Sequence, residues 1–390
     1  MKIGIFGGSF DPVHSEHVNL VKEGMESLGL DKLFVMPAFQ PPHKQGKRLT
    51  PDDKRLQMCA LAFEGINGVE VSDYEIAQKG TSYTYLTCRY FKERFPTAEL
   101  FWLVGTDMLR DFPTWKNPED ILQNATLAVC ARNEKEEWIE AEQEKFFKRF
   151  GKKFAVIRYN GKNVSSTKIR VWAGAGMDLT PLVTEKVAAY IQKNGLYEIP
   201  FASQALGLEK ENRRAHSVRV AVFAAENARK FGIVENKAIT AALFHDCAKN
   251  LESSAKELGG FEPPLAWGEI PKEVLHQFQG AYVAEHFFQV QDEDVLNAIR
   301  YHTSGRPNMS ALEKLIFLAD MLEEERRYDV VDILRGLFFE KGLDECLERA
   351  LLETLLFLEK KGGEIYPLTK QAYEFYRKNK AEEVYYGNYE

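Results

Sequence analysis

The sequence predicts two domains of different class. Residues 1–200 read as an α/β domain, a parallel sheet with helices on both faces, and residues 201–390 as an all-α helical bundle. Three observations predict this. At roughly 150 residues per domain, a chain of 390 residues holds two or three domains. In the first half short apolar runs alternate with helical patterns, the signature of a parallel sheet covered on both sides. Past residue 200 the periodicity is helical, with little strand signal.

The elements follow in order. Lys2–Phe6 reads as a strand, and Ser15–Leu28 as a helix with apolar Val18, Leu20, Val21, Met25 and Leu28. Lys32–Met36 is a strand, followed by a loop over Pro37–Thr50 and a helix over Asp52–Glu64. Val69–Val71, Glu99–Val104, Ala125–Cys130 and Phe154–Ile157 are further strands, and Tyr83–Phe95 is a helix. Pro181–Lys193 is a helix ended by Asn194-Gly195, and Glu198-Ile199-Pro200-Phe201 reads as a linker. Beyond it the clearest helices are Ala215–Lys230, Lys237–Ala248, Pro271–Phe288, Asp292–Tyr301 and Ala311–Glu323.

Composition narrows the classes. The net charge of −7 argues against a broad nucleic-acid surface, which needs clustered cations, so any phosphate recognition is local. The five cysteines are scattered without a Cys-x-x-Cys pair and read as reduced core thiols, which points to the cytoplasm. The start lacks the apolar length of a signal peptide, and no apolar run approaches a membrane span, so no membrane partner is expected.

The first chemical constellation follows the first strand: Gly7-Gly8-Ser9-Phe10-Asp11-Pro12-Val13-His14-Ser15-Glu16-His17. Glycines let a backbone approach phosphate closely, and a helix opening near Ser15 adds N–H groups and a favourable dipole. His14 and His17, three apart, share one helix face and can stabilise charge developing on a triphosphate.

This run resembles the nucleotidyltransferase signature with its His-x-Gly-His pair, and later motifs resemble bacterial nicotinate-nucleotide adenylyltransferases over about the first 200 residues. Those motifs are Pro41-Pro42-His43-Lys44, Arg55 with Met58, Thr81-Ser82-Tyr83-Thr84, Gly105-Thr106-Asp107, Trp115, Arg132, Ser165-Ser166-Thr167-Lys168-Ile169-Arg170, and the closing Tyr190 with Asn194-Gly195-Leu196-Tyr197. The resemblance implies a Rossmann-like fold that transfers AMP from Mg²⁺-bound ATP to nicotinate mononucleotide, releasing pyrophosphate. His14, His17, Lys44 and Arg170 are then catalytic. Gly7, Gly8, Ser9, Phe10, Asp11, Gly105, Asp107, Ser165, Ser166, Thr167 and Ile169 hold ATP. Thr81, Tyr83, Thr84, Trp115 and Arg132 hold nicotinate mononucleotide. The residue chemistry agrees: Ser166 and Thr167 can cap a helix whose N–H groups face phosphate, Lys44 and Arg170 are cations, and Trp115 offers a flat ring face. Two positions depart from the pattern. Glu16 stands where the family has glycine, and Asn133-Glu134 follow Arg132 in place of Pro-Gly.

The second constellation lies in the second half. His216, the adjacent His245-Asp246, His276, His302 and Asp320 fall in order on successive predicted helices. Imidazole with carboxylate suits Mn, Fe, Co, Ni or Zn. Six ligands exceed one tetrahedral site and favour two metals, which could activate water for phosphoryl transfer. His286, on an apolar helix, reads as an ordinary core histidine, and Cys247 as a packing residue.

Residues 205–370 resemble the HD phosphohydrolases, and within them bacterial diadenosine tetraphosphate hydrolases. The matching stretches are Arg213–Ser217, Leu243–Lys249, Leu275-His276 with Gly280-Ala281-Tyr282, Ala298–Pro307, Leu312-Glu313-Lys314 and Leu318-Ala319-Asp320. The resemblance implies that the six residues hold a di-iron-type centre, with Mn or Zn as alternatives, and that diadenosine tetraphosphate is cut symmetrically to ADP. Asp246 is then also catalytic, and Lys249, Thr303, Arg306 and Arg326 are candidates for holding the polyphosphate. Gln277 stands where the family has glycine. The alternative is an adenylyltransferase for phosphopantetheine with a nucleotide-sensing, non-catalytic second half. Thr81–Thr84 and Trp115 argue against the first part, and the six-ligand spacing against the second. Self-association is left open.

Overall fold

The structure is a computed structural model that describes residues 1–42, 49–264, 266 and 268–386, with side chains up to residue 377. Its contacts divide the chain into two compact units, Met1–Ile169 with Asp178–Leu196, and Arg170–Met177 with Tyr197–Glu390. The short segment Arg170–Met177 thus groups with the second unit, whereas the sequence reading put everything before residue 200 in the first.

The first unit holds a six-stranded sheet ordered β3-β2-β1-β4-β5-β6, with every pairing parallel. The strands are β1 Lys2–Gly8, β2 Lys32–Pro37, β3 Val69–Val71, β4 Glu99–Gly105, β5 Thr126–Arg132 and β6 Ala155–Tyr159. Their near-continuous apolar runs fit strands covered on both faces; Ile3, Ile5, Leu33, Val35, Leu127 and Val129 are all fully buried. The chain lays β1, β2 and β3 outward, then returns to place β4 on the other side of β1. That reversal opens a crevice beyond the carboxyl ends of β1 and β4, where ligands of such sheets bind.

Helix Ser15–Leu28 follows β1 directly and stops at Gly29, which adopts φ 59° and donates its N–H to the Glu26 carbonyl. Several elements differ from expectation, three of them with a clear physical reason. β5 continues to Arg132 because Arg132 pairs with Tyr159 in β6. The helix expected over Pro181–Lys193 begins at Glu185, because the Thr184 hydroxyl caps the Val187 N–H. Helix Glu136–Phe150 had no counterpart in the sequence reading. Only Ile139 and Phe146 of it are buried, a stripe too thin to announce a helix.

The second unit is helical. Helices Glu211–Ala228, Glu235–Phe244, Lys272–His286, Glu293–Arg300 and Ala311–Leu322 surround its core, joined by Val331–Glu340, Leu343–Lys361 and Pro367–Tyr386. Helices Glu211–Ala228 and Glu235–Phe244 pack through alanines: Ala221, Ala224, Ala238, Ala241 and Ala242 are fully buried. Such small side chains let two backbones approach closely. One expectation is corrected. The helix read as Lys237–Ala248 ends at Phe244, so His245-Asp246 lie at its end, and His302 likewise follows helix Glu293–Arg300. No helix among the described residues is long and apolar enough to cross a membrane.

Candidate functional site: a nucleotide cavity and a histidine/carboxylate centre

In the first unit the crevice becomes a cavity of about 800 Å³. Gly7, Gly8, Ser9 and Phe10 form its floor, with His14 from the N-cap and His17 from the first turn of the following helix. The two imidazoles stack with ring centroids 3.6 Å apart. The His14 backbone N–H donates to His17 Nδ1 at 3.1 Å, which puts the His17 proton on Nε2 and makes that nitrogen a donor. Burial, helped by Arg132, presses the His14 imidazole down to about 3, so it stays neutral. Phe10 takes φ 45° and sets its buried ring edge-on against His17, with centroids 5.0 Å apart.

The glycines here answer to packing as well as to phosphate. A Cβ on Gly7 would lie 2.7 Å from the Trp102 ring. The floor is also held from below. Arg55, 1% exposed, donates from Nη1 to the carbonyls of Ser9 and Ala38, both at 2.8 Å, and from Nε to Thr50 at 2.9 Å. Tyr83, Thr84, Trp115, Gly105 and Asp107 line the same cavity, as do Arg132 and Ser166.

In the second unit the six histidine and aspartate residues converge. His276 Nε2 lies 3.1 Å from His302 Nε2 and 3.3 Å from Asp246 Oδ1, and His216 Nε2 lies 2.8 Å from Asp320 Oδ1. Three overlapping groups have ligand atoms within 4.8 Å of one another: His216, His245 and Asp246; His245, His302 and Asp320; Asp246, His276 and His302. The tautomers are set from outside. His245 Nδ1 faces the Ala242 carbonyl at 2.6 Å and His302 Nδ1 faces that of Ile299 at 2.7 Å, so each ring turns an Nε2 lone pair inward. His216 Nδ1 sits 3.0 Å from Glu323 Oε1, and Arg219 Nε donates to the other Glu323 oxygen at 2.8 Å.

These residues fit divalent metal. His245 Nε2 and Asp246 Oδ1 are buried without a well-formed hydrogen bond, Asp246 Oδ1 having only His276 and His302 Nε2 at 3.3 and 3.5 Å, a cost that a coordinated cation removes. Burial holds His276 down to about 4, the neutral form a metal requires. The carboxylates draw positive charge into the centre: burial opposes protonation of His245, yet Asp246, Asp320 and the Ala242 carbonyl together outweigh it and lift the imidazole to about 9.

Comparison with known proteins agrees with both geometries. Residues 5–171 match the cytidylyltransferase-like family and residues 213–325 match the HD domain. A probable nicotinate-nucleotide adenylyltransferase/Ap4A hydrolase of Mycoplasma pneumoniae is 31% identical over 345 residues, covering 83% of this chain and 89% of that protein. The chain belongs to this family. A protein of the same description from Mycoplasma genitalium is 29% identical over 337 residues, covering 84% of this chain and 89% of its own length. A probable nicotinate-nucleotide adenylyltransferase of Clostridium tetani is 35% identical over 197 residues, covering 50% of this chain and 98% of its own.

Some expected residues of this nicotinate-nucleotide adenylyltransferase/Ap4A hydrolase family member fall elsewhere than the sequence reading put them. Lys44 lies outside the described residues. Arg170 does not line the cavity; it is 8% exposed and its Nε donates to Glu235 at 2.6 Å, within the second unit. The helix at Ser166 is capped by Ser165, whose hydroxyl accepts from the Lys168 N–H at 3.1 Å. That corrects the assignment of the cap to Ser166 and Thr167: the Ser166 hydroxyl donates to the Pro12 carbonyl at 2.9 Å. Asp11, Thr81, Thr167 and Ile169 are not on the cavity wall. Asp11 accepts from the Thr50 N–H, Thr81 pairs with Gln40 through its backbone, and Ile169 is core.

In the second unit Lys249 Nζ is 2.8 Å and Thr303 Oγ1 3.1 Å from His276 Nε2, and Arg326 Nη2 donates to Asp320 Oδ1 at 2.5 Å. Arg306 is drawn off instead, forked onto Glu313 at 2.6 and 2.9 Å. Four further residues make contacts here to which the sequence reading gave no role. Arg213 Nη1 is 2.9 Å from Asp246 Oδ2. Glu323 and Arg219 stand three positions after Asp320 and His216 of the cluster, a spacing that puts each on the same helix face as that residue. Gln277, fully buried, accepts from the Thr303 and Ser304 N–H groups at 3.0 Å each and donates to the Ser304 hydroxyl at 2.8 Å. It pins the segment that follows His302.

Proposed function

We propose that the first unit transfers AMP from Mg²⁺-bound ATP to nicotinate mononucleotide, and that the second hydrolyses diadenosine tetraphosphate symmetrically to ADP at a two-metal centre. The observation that carries the first half is one cavity at the carboxyl ends of β1 and β4 with both the glycine floor and Tyr83, Thr84 and Trp115 on its walls. The names of the relatives support the substrates.

In the transfer, a phosphate oxygen of the mononucleotide bonds to the α-phosphorus of ATP, and the α–β anhydride bond breaks to release pyrophosphate. This chain's part is positioning and charge stabilisation. The backbone of Gly7–Ser9 leaves room for the triphosphate, and the His17 Nε2–H is a donor to oxygens that gain charge. Trp115 and the opening turn at Tyr83-Thr84 offer a flat wall and N–H groups to the nicotinate ring and its carboxylate.

For the hydrolysis, convergence of the imidazoles and two aspartates carries the reading. His216, His245, Asp246, His276, His302 and Asp320 would hold the metals, iron first, with manganese or zinc as alternatives. When bound, they supply an acidified water and neutralise phosphoryl charge. Lys249, Thr303 and Arg326 stand at the rim to hold the polyphosphate, joined by Arg213. The five buried, unbridged cysteines support action in the cytoplasm.

The test is a product assay on the full chain. ATP with nicotinate mononucleotide gives nicotinate adenine dinucleotide and pyrophosphate, and diadenosine tetraphosphate alone gives two ADP. A tight transition-metal chelator abolishes the second activity, and excess Mg²⁺ sustains the first. Use of phosphopantetheine in place of the mononucleotide, or binding of diadenosine tetraphosphate without cleavage by metal-loaded protein, refutes the corresponding half.

A further inference from the structure

Glu16 is 3% exposed and lines the cavity. Its Oε1 accepts from Asn19 Nδ2 at 3.1 Å, while its Oε2 is buried and makes no hydrogen bond. A buried carboxylate oxygen left without a donor is costly. The cation beside it does not meet that need: Arg132 Nη1 donates to the Lys162 carbonyl at 3.0 Å.

The carboxylate is held in place. A Cβ on Gly161 would overlap both Glu16 Oε2 and Arg132 Cδ, so only glycine leaves room there. Gly161 is in turn clamped by Asn133, whose Nδ2 donates to its carbonyl at 2.9 Å and whose Oδ1 accepts its N–H at 3.2 Å.

Its direction is set by the helix. Residue 16 lies one position before His17, about 100° around the axis, so it leaves the face where His17 stacks on the N-cap His14. It turns instead toward the ends of β5 and β6, where Leu20, Cys130 and Tyr159 line the cavity. Burial, with Cys130 and Glu16 adding, pushes the Tyr159 hydroxyl up to about 12, so this wall carries no second anion. A largely apolar slot with one unmatched acceptor suits a heterocyclic base better than a ribose, which brings several hydroxyls.

We propose that Glu16 selects the base of the nucleoside triphosphate: Oε2 accepts a hydrogen bond from the exocyclic amine of adenine, and its charge rejects a purine with a carbonyl at that position. This rests on the reading of the cavity as the adenylyl-donor site.

The test compares ATP with inosine triphosphate, which keeps the triphosphate, ribose and purine but replaces the amine by a carbonyl. The full chain is assayed with nicotinate mononucleotide as acceptor. The wild-type protein is expected to prefer ATP in kcat/KM by about 100-fold or more. Glu16→Gln keeps the shape and can donate to a carbonyl, so it lowers that preference about tenfold or more, through KM for inosine triphosphate with kcat little changed. Glu16→Gly lowers it likewise. Unchanged melting temperatures establish that both variants fold. A preference within twofold of wild type in both variants overturns the proposal, as does a wild-type protein indifferent to the base. A change confined to 2′-deoxy-ATP assigns the donor to the ribose and also overturns it. If the wild-type protein forms no dinucleotide from ATP, the functional reading fails by itself. Calorimetric binding of ATP and inosine triphosphate to the same three proteins then decides the role of Glu16 by the same ratios.

Discussion

Removing the Gln277 amide should both destabilise the second unit and loosen its metal centre. Gln277 is fully buried and makes three hydrogen bonds to Thr303 and Ser304. In Gln277→Ala the Ser304 hydroxyl keeps its bond to the Gly305 carbonyl at 2.9 Å, but the two backbone N–H groups lose their acceptor. Each buried donor left unmatched costs about 1–3 kcal/mol, so the pair costs about 3–4 kcal/mol. Gln277→Met fills the space without restoring the acceptor, so it should cost nearly as much. At about 2–4 °C per kcal/mol for a unit of this size, the transition should fall by roughly 10 °C. His302 and Thr303 flank the released segment, so Mn²⁺ should bind more weakly by about tenfold. Scanning calorimetry of the full chain, with the second unit's transition identified by its shift on adding Mn²⁺, reads the first effect, and Mn²⁺ titration reads the second. Both variants melting within about 3 °C of wild type, with unchanged Mn²⁺ affinity, would refute the clamp.

Three further outcomes are expected. Arg55→Met leaves the Ser9, Ala38 and Thr50 carbonyls without their buried donor; at about 1–3 kcal/mol per unmatched group, urea unfolding should show a loss of about 3–5 kcal/mol, and KM for ATP should rise as the floor slackens. Glu323→Gln removes the anion that faces His216 Nδ1, and calorimetric titration should find Mn²⁺ affinity lower by about 10–100-fold. His14 is lowered by burial from 6.5 to about 3. The unfolded chain therefore takes up a proton below pH 6.5 that the folded chain refuses until about pH 3. Stability should fall with acidification across that window by about 1.4 kcal/mol per pH unit from this group, and unfolding of His14→Asn at pH 6 and pH 5 should show a correspondingly shallower slope.

Much of the site was legible because its chemistry is local. The glycine run and the His14/His17 pair sit on a strand end and a helix start only a few residues apart, so strand-then-helix periodicity was enough to bring them together. The cluster of six histidine and aspartate residues was legible by type, since imidazoles and aspartates are costly in apolar helical stripes without a shared purpose. What failed was where a side chain goes once several partners compete for it. Arg170 carries the charge expected of a phosphate ligand, but Glu235, 65 positions later, takes its Nε. Arg306 is likewise captured by Glu313. Gln277 shows in the sequence only as a departure from the family's glycine and proves to be the acceptor for two backbone amides.

The sequence by itself therefore determined the two fold classes, the glycine run that floors the cavity with His14 and His17, and which six histidine and aspartate side chains would gather, because each rests on periodicity or on residue type. Only the tertiary structure decided that Arg55 holds the floor, that Glu323 faces His216 and Gln277 pins the segment after His302, and that Glu16, on the cavity wall, keeps one buried oxygen unmatched. Those outcomes depend on which donors and acceptors meet across the fold, and a buried polar group is satisfied by whatever the packing brings within about 3 Å, however far away in the chain it lies.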